Sequence, residues 1–369
     1  MDDPFVLQQY NKAIHQLIED RSSQGPNQDI TLVTCCLFIC LEILRGNNPE
    51  ALNHLESGLK ILCGQAEACA SDSGNKPISK RTEVEEDLSH LFSRLNIQMS
   101  LWSRPLAPFE PGNVMDSKDL LQRFVMFSTI TEARHALNNI MGKTLGFVRS
   151  VQNKCGGLQE TMMAKKAVHR RVFDDWLIAF ENMMNQPRKY IKTLDPRGPL
   201  ILRIHHRVAL IWLETCPLFD VMSFDNYWDD FEDIVSFASE VIAYNSKVND
   251  SSNKFCLDME IFPPVYYAAI NCRHPLLRRR AIEILSTYHR QECLWEPRER
   301  TKVAELVLRI EETRLASLPV EQRIPEARDR VYEPLSSEER VLNPSRITLL
   351  FKPNGPNDNW HSETHFVHW

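Results

Sequence analysis

Residues 263–295 read PPVYYAAINCRHPLLRRRAIEILSTYHRQECLW. Pro263-Pro264 open an apolar, aromatic run that ends at Asn271-Cys272-Arg273-His274-Pro275. A second helical segment follows, with Arg278-Arg279-Arg280 at its start. Leu277, Ala281, Ile284, Leu285 and Tyr288 recur in it at helical spacing. Arg290-Gln291-Glu292-Cys293-Leu294-Trp295 close the stretch. The pattern predicts a buried helical hairpin.

Composition extends the helical reading to the rest of the chain. The 369 residues include only 12 glycines, about half the usual share. Glycine serves phosphate-cradling loops and tight β turns. Its scarcity argues against nucleotide-binding α/β folds and β barrels. A net charge of -6 with 25% charged residues gives no overall electrostatic footprint for nucleic acid. The start, Met1-Asp2-Asp3-Pro4, is acidic where a signal peptide would be basic. Ten cysteines are scattered through the chain, several in apolar helical runs. They read as free thiols in a reducing compartment. The longest apolar run, 30–41, is shorter than the roughly 20 residues that span a bilayer. No membrane segment is expected.

Along the chain, apolar spacing predicts helices over 4–22, 29–45, 50–70 and 83–101. The second is apolar nearly all round and should be central. Gly46-Asn47-Asn48-Pro49 separates it from the third as a stop and a start. This pair resembles one helix-turn-helix unit of the tetratricopeptide kind, without a second copy at a fixed period. Residues 71–81 read as a surface loop. Residues 103–117 form an irregular connection that Leu106, Phe109 and Val114 tilt towards a strap on the core. A long helix is expected over 117–152, with a kink at Gly142 or Gly146. Further helices follow over 158–185, 200–216 and 226–248. Residues 296–315 read as a surface helix with Glu296–Arg300 and Glu305–Arg309 pairs at i,i+4. Residues 346–351 and 363–369 read as strands around a turn-rich segment. The expected fold class is all-α: a helical-hairpin, partly tetratricopeptide-like body over 1–318. A charged linker and a small C-terminal β-hairpin, packed on that body, occupy 319–369.

Candidate chemistry is sparse. Cys35, Cys36 and Cys40 share a helix, but no C-x-x-C occurs anywhere, so they read as buried thiols. His205 and His206 point about 100° apart on a helix, so one metal would not take both. Asp174-Asp175 and the cluster Asp229-Asp230-Phe231-Glu232-Asp233 do not converge as a catalytic carboxylate pair. The second cluster reads as a solvated helix start. The run Arg278-Arg279-Arg280, with Arg273 nearby, reads as a solvated or ion-paired helix face, with Glu283 four residues past Arg279. No nucleophile elbow, zinc-protease motif, phosphate loop or dinucleotide fingerprint is present. No catalytic, cofactor-binding or metal-ligating residue is assigned, no cofactor is expected, and the chain is not expected to be an enzyme.

The opening stretch also carries a resemblance. Cys272-Arg273-His274-Pro275, Arg278-Arg279-Arg280-Ala281-Ile282 and Arg290-Gln291-Glu292-Cys293-Leu294-Trp295 resemble the C-terminal regulatory region of fungal zinc-cluster (Zn2Cys6) transcription factors. The family's glycine in the closing motif is Cys293 here. Softer markers are Ala51-Leu52-Asn53-His54-Leu55, Gly58 to Leu62, Leu91 to Leu95, Tyr227-Trp228 with Phe231, and the final Phe366-Val367-His368-Trp369. The family's DNA-binding module holds two zinc ions with six cysteines and opens with C-x-x-C, so its ligands carry over to no residue here. The resemblance implies a transcription-regulating body acting in the nucleus on a metabolic gene set, without autonomous DNA binding. Its partners would be protein: a homodimer, other transcription factors or transcription machinery. A small-molecule effector in an internal pocket is left open. The alternative is a cytosolic helical scaffold for protein–protein interaction.

Overall fold

The computed structural model describes residues 28–71, 83–102, 126–152, 159–186, 195–216, 220–248, 255–336, 343–355 and 358–369, with five isolated residues before 28. Most of the expected helix over 4–22 and all of 103–117 lie outside them. The described residues are mostly helical, with a small antiparallel sheet near the C-terminus. They fall into two compact units.

The first unit contains α1 (Gln28–Leu44), α2 (Asn48–Ser71) and α3 (Glu83–Trp102). A Schellman turn ends α1. Gly46 takes φ +70, its N–H donates to Ile43 O at 2.9 Å, and Asn47 N–H donates to Glu42 O at 2.9 Å. The Glu42 side chain holds the same turn by accepting from Arg45 and Asn47. Helices α1 and α2 therefore form the expected hairpin. Gly58 on α2 lets it meet α3 closely, since a Cβ there would lie 2.1 Å from Phe92 Cε1. Leu32, Cys36, Ile39 and Ile43 on α1 are buried. The expectation of a central α1 holds for that face only, because its opposite side is exposed.

The second unit holds the remaining elements. Helix α4 (Ile130–Gln152) starts later than the sequence predicts, and it continues through Gly142 and Gly146. Its start is a capping-box arrangement. Thr129 Oγ1 accepts from Glu132 N–H, while the Glu132 carboxylate accepts from Ser128 N–H. Helices α5 (Gln159–Met184) and α6 (Arg197–Thr215) pack on α4 around Trp176. The Trp176 indole N–H donates to Ala133 O at 2.9 Å, and its ring stacks on Phe180 and His206. Lys166 on α5 donates to Glu214 O and Cys216 O, satisfying carbonyls at the end of α6. A 3₁₀ turn over Val221–Tyr227 leads into α7 (Trp228–Val248).

The hairpin of the opening stretch is present as α8 (Phe262–Asn271) and α9 (Pro275–Thr287). Short strands β1 (Phe255–Cys256) and β2 (Gln291–Glu292) pair in parallel across it. Helix α10 (Pro297–Glu311) follows. The expected surface helix is instead half core: Val303, Ala304 and Val307 are fully buried, so one face closes on α8 and α9. Glu305 pairs with Lys302 at i,i+3, and Glu296 caps the helix start through Arg298 N–H.

The C-terminal sheet has three strands where a hairpin is expected. Strands β4 (Ser345–Phe351) and β5 (His361–Val367) pair antiparallel, and β3 (Glu333–Ser336) adds to the other edge of β4. Ile347, Leu349 and Phe351 alternate inward. The β3 residues Glu-Pro-Leu-Ser carry no strand signal of their own. Their pairing comes from the open edge that β4 offers.

Candidate functional site: the charge network of the α8–α9 hairpin

The hairpin is held by carboxylates from outside its two helices. Glu292, fully buried, reaches back to the start of α8. Its carboxylate accepts from the N–H groups of Glu260 (2.7 Å), Ile261 (3.2 Å) and Phe262 (3.2 Å), and from the Tyr288 hydroxyl (2.8 Å). A helix start presents orphan N–H donors and a partial positive charge. Here a residue some thirty positions downstream caps them. Burial and the nearby Glu260 charge push the Glu292 carboxyl up to about 7, against the backbone donors that favour its ionised form. Glu260 itself pairs with Arg290 at 3.0 Å.

Next in the same motif, Cys293 takes φ +50 and is buried. The turn thus keeps the left-handed backbone that a glycine adopts without strain. Cys293 N–H donates to Cys256 O at 2.8 Å, closing the short parallel bridge. Trp295 packs its ring against Tyr266, and Arg300 lies over both rings.

Glu311, at the end of α10, is the second anchor. One oxygen accepts from Arg273 Nη2 at 2.9 Å and from Val331 N–H at 2.7 Å. The other accepts from Arg278 Nη1 at 2.6 Å. All three charged side chains are buried. Burial raises the Glu311 carboxyl, but the Arg273 and Arg278 charges outweigh it and hold the group below the usual carboxylate range. Arg273 also donates to Asn271 O and Val331 O, and Arg278 to Ala269 O. Arg330, equally buried, makes a bidentate pair with Asp225 at 2.9 and 2.7 Å. Neighbouring Glu312 takes Arg279.

These contacts divide the expected solvated or ion-paired helix face, of which Arg279 keeps the ion-paired form. Arg273 and Arg278 are core residues, Arg279 pairs with Glu312 rather than with Glu283, and Arg280 remains near the surface, donating to Ser239 Oγ. His274 caps α9 by accepting from Leu277 N–H, with Trp228 edge-on at 5.1 Å. Arg203 holds Glu181 through two bonds of 2.9 Å. The Asp229 cluster is also drawn in, because Arg207 on α6 pairs with Asp230 and Asp233 on α7. Asp174 pairs with Arg170 on its own helix.

His205 and His206 point to different elements. His205 Nε2–H donates to Glu260 O, and His206 Nε2–H donates to Phe173 O, each at 3.0 Å. Burial pushes both imidazoles down to about 4. In the first unit, burial and the neighbouring thiols push Cys36 up to about 12. Among the described residues no group of three His, Cys, Asp or Glu side chains is placed to hold a metal ion. No helix among them is long and apolar enough to cross a membrane. Glu311, Arg330 and Asp225 escaped sequence reasoning. Their charged partners lie 33 to 105 positions away, and no spacing rule connects them.

The site is therefore an ionic clamp that fixes a helical hairpin. Over 189 residues the chain is 46% identical to a protein of Emericella nidulans named the aspercryptin biosynthesis cluster-specific transcription regulator atnN. The alignment covers 48% of this chain and 30% of that protein, so the chain spans less than a third of that regulator's length. No family model matches the chain, and no solved structure is significantly similar to it. The chain is thus related to a fungal transcription regulator.

Proposed function

We propose that the chain is the regulatory body of a fungal transcription regulator of the zinc-cluster type, acting in the nucleus on a metabolic gene set. The observation that carries this reading is the 46% identity to a cluster-specific transcription regulator. The resemblance of the Cys272–Trp295 stretch to the zinc-cluster regulatory region supports it. Residues 1–318 serve as the body, and 319–369 as its linker and terminal sheet. The 369 residues hold no C-x-x-C, so contact with DNA comes from a zinc cluster outside them or from a partner protein. Helical hairpins, tetratricopeptide-like in the pair α1–α2, supply surfaces for protein partners. No observation favours a cytosolic scaffold.

The test is tethering. The chain, fused to an unrelated DNA-binding module in a fungal host, is expected to enter the nucleus and change expression of a reporter bearing that module's site. Exclusion from the nucleus together with an unchanged reporter would overturn the proposal.

A further inference from the structure

Past the end of α10 the chain runs over the surface. Thr313–Leu315 form one 3₁₀ turn, Val320–Gln322 form another, and Ala316 to Pro319 join them. The joining stretch reads Arg314-Leu315-Ala316-Ser317-Leu318-Pro319, and all of it but Leu315 is exposed. A protein kinase with an acidic substrate groove takes a hydroxyl that follows an arginine by three residues, because the guanidinium pairs with the groove. In the whole sequence only Thr301 and Ser317 stand at that spacing. Thr301 is buried inside α10, with its hydroxyl donated to Pro297 O. Ser317 has both the spacing and the access. Arg323 adds a second observation. Its guanidinium donates to Ala316 O at 3.0 Å and to Leu318 O at 2.9 Å, the carbonyls on either side of Ser317. Its Nη1 lies 3.8 Å from Glu312, beyond hydrogen-bond distance, and Glu312 already holds Arg279.

We propose that Ser317 is a phosphorylation site for an arginine-directed protein kinase, and that Arg323 holds its phosphate. In the transfer the Ser317 hydroxyl oxygen attacks the γ-phosphorus of ATP. The bond from that phosphorus to the β,γ-bridging oxygen breaks, ADP leaves, and the hydroxyl proton is released. Arg314 pairs with Asp329 at 3.3 Å on the surface. Such a pair is worth little, so Arg314 is free to enter the kinase groove. The phosphoserine carries about -1.5 to -2 charge at pH 7. Arg323 Nη1 then turns from Glu312 to the phosphate in a charge-assisted hydrogen bond, and Glu312 keeps Arg279. The turn directly follows Glu311 and Glu312, so the added charge lies next to the clamp that fixes the α8–α9 hairpin. This inference goes beyond the regulatory reading and does not rest on it.

The full chain, incubated with magnesium ATP and the catalytic domain of a calcium–calmodulin-dependent protein kinase, should take up phosphate at Ser317, placed by peptide mass. Ser317→Ala should abolish that label, and Arg314→Gln should slow it at least ~tenfold. Both side chains are exposed, so both variants should keep the parent melting temperature. In the phosphorylated chain the second ionisation of the phosphate, ordinarily at about pH 6, should read lower by phosphorus NMR. In Arg323→Gln it should return to its ordinary value. No label at Ser317 would overturn the site, as would a label that appears only after unfolding in urea or a rate indifferent to Arg314→Gln. A phosphate whose ionisation ignores Arg323→Gln would overturn the part given to Arg323.

Discussion

Glu311 shows how much one buried carboxylate can organise. It neutralises one of two buried arginines and leaves the other charge to carbonyl acceptors at Asn271, Ala269 and Val331. Removing one partner of a buried ion pair costs roughly 3–5 kcal/mol, because a buried charge is left uncompensated. Glu311→Gln should accordingly lower the melting temperature sharply, as read by circular dichroism. A shift of only a degree or two would show that the arginines are solvated after all. At Cys293 the strain is in the backbone. A β-branched side chain tolerates positive φ poorly, whereas glycine fits without strain. Cys293→Val should destabilise by about 1–3 kcal/mol in denaturant unfolding, and Cys293→Gly by less. Equal effects would mean that side-chain burial, not φ, governs this position.

Among the helices, α2 and α3 meet through a missing side chain. A Cβ at Gly58 would overlap the Phe92 ring, which is fully buried. Gly58→Ala raises helix propensity by about 1 kcal/mol yet must displace that ring, and overpacking costs typically about 1–3 kcal/mol. The net expectation is loss of stability, with partial rescue by Phe92→Leu in the double variant; a stabilised Gly58→Ala would refute the close packing. Helix α4 is instructive in another way. Its Thr129-Ile130-Thr131-Glu132 start is a capping-box pattern legible in the sequence, yet apolar spacing alone extends the helix back to 117. The periodicity of Leu120, Leu121 and Phe124 says nothing about where a cap interrupts it.

For the molecule as a whole, pH is the accessible lever. His169, His205 and His206 are buried and held neutral, each down to about 4 from an ordinary 6.5. An unfolded chain binds protons at these sites as pH falls below 6.5, while the fold does not. Stability from the three is therefore present above pH 6.5 and lost towards pH 4, up to about 3 kcal/mol each. Glu292 works in the opposite sense. Its raised carboxyl keeps a proton up to about 7 in the fold, so its contribution is full below the unfolded value of 4.5 and is lost as pH rises through 7. Three groups outweigh one on the acid side. Melting temperatures measured from pH 8 to pH 4 should peak near neutrality and fall steeply below pH 6.5. A flat acid limb would contradict neutral, buried histidines.

The sequence by itself determined the helical class, most helix positions, the Gly46 turn and the hairpin at 263–295. Each is written in local terms: apolar spacing, glycine after a helix, proline at its first turn. Only the tertiary structure decided what the arginines do. Arg273 and Arg278 look like surface charge until Glu311 reaches them from another helix, and Glu292 looks like one more surface acid until it closes on the start of α8. Strand β3 exists because β4 leaves an edge to pair with. The exposed side of α1 is equally invisible locally, since a helix apolar all round does not say which side its own unit will cover. Burial and charge pairing across long stretches of chain depend on which elements meet, and spacing along the chain does not encode that.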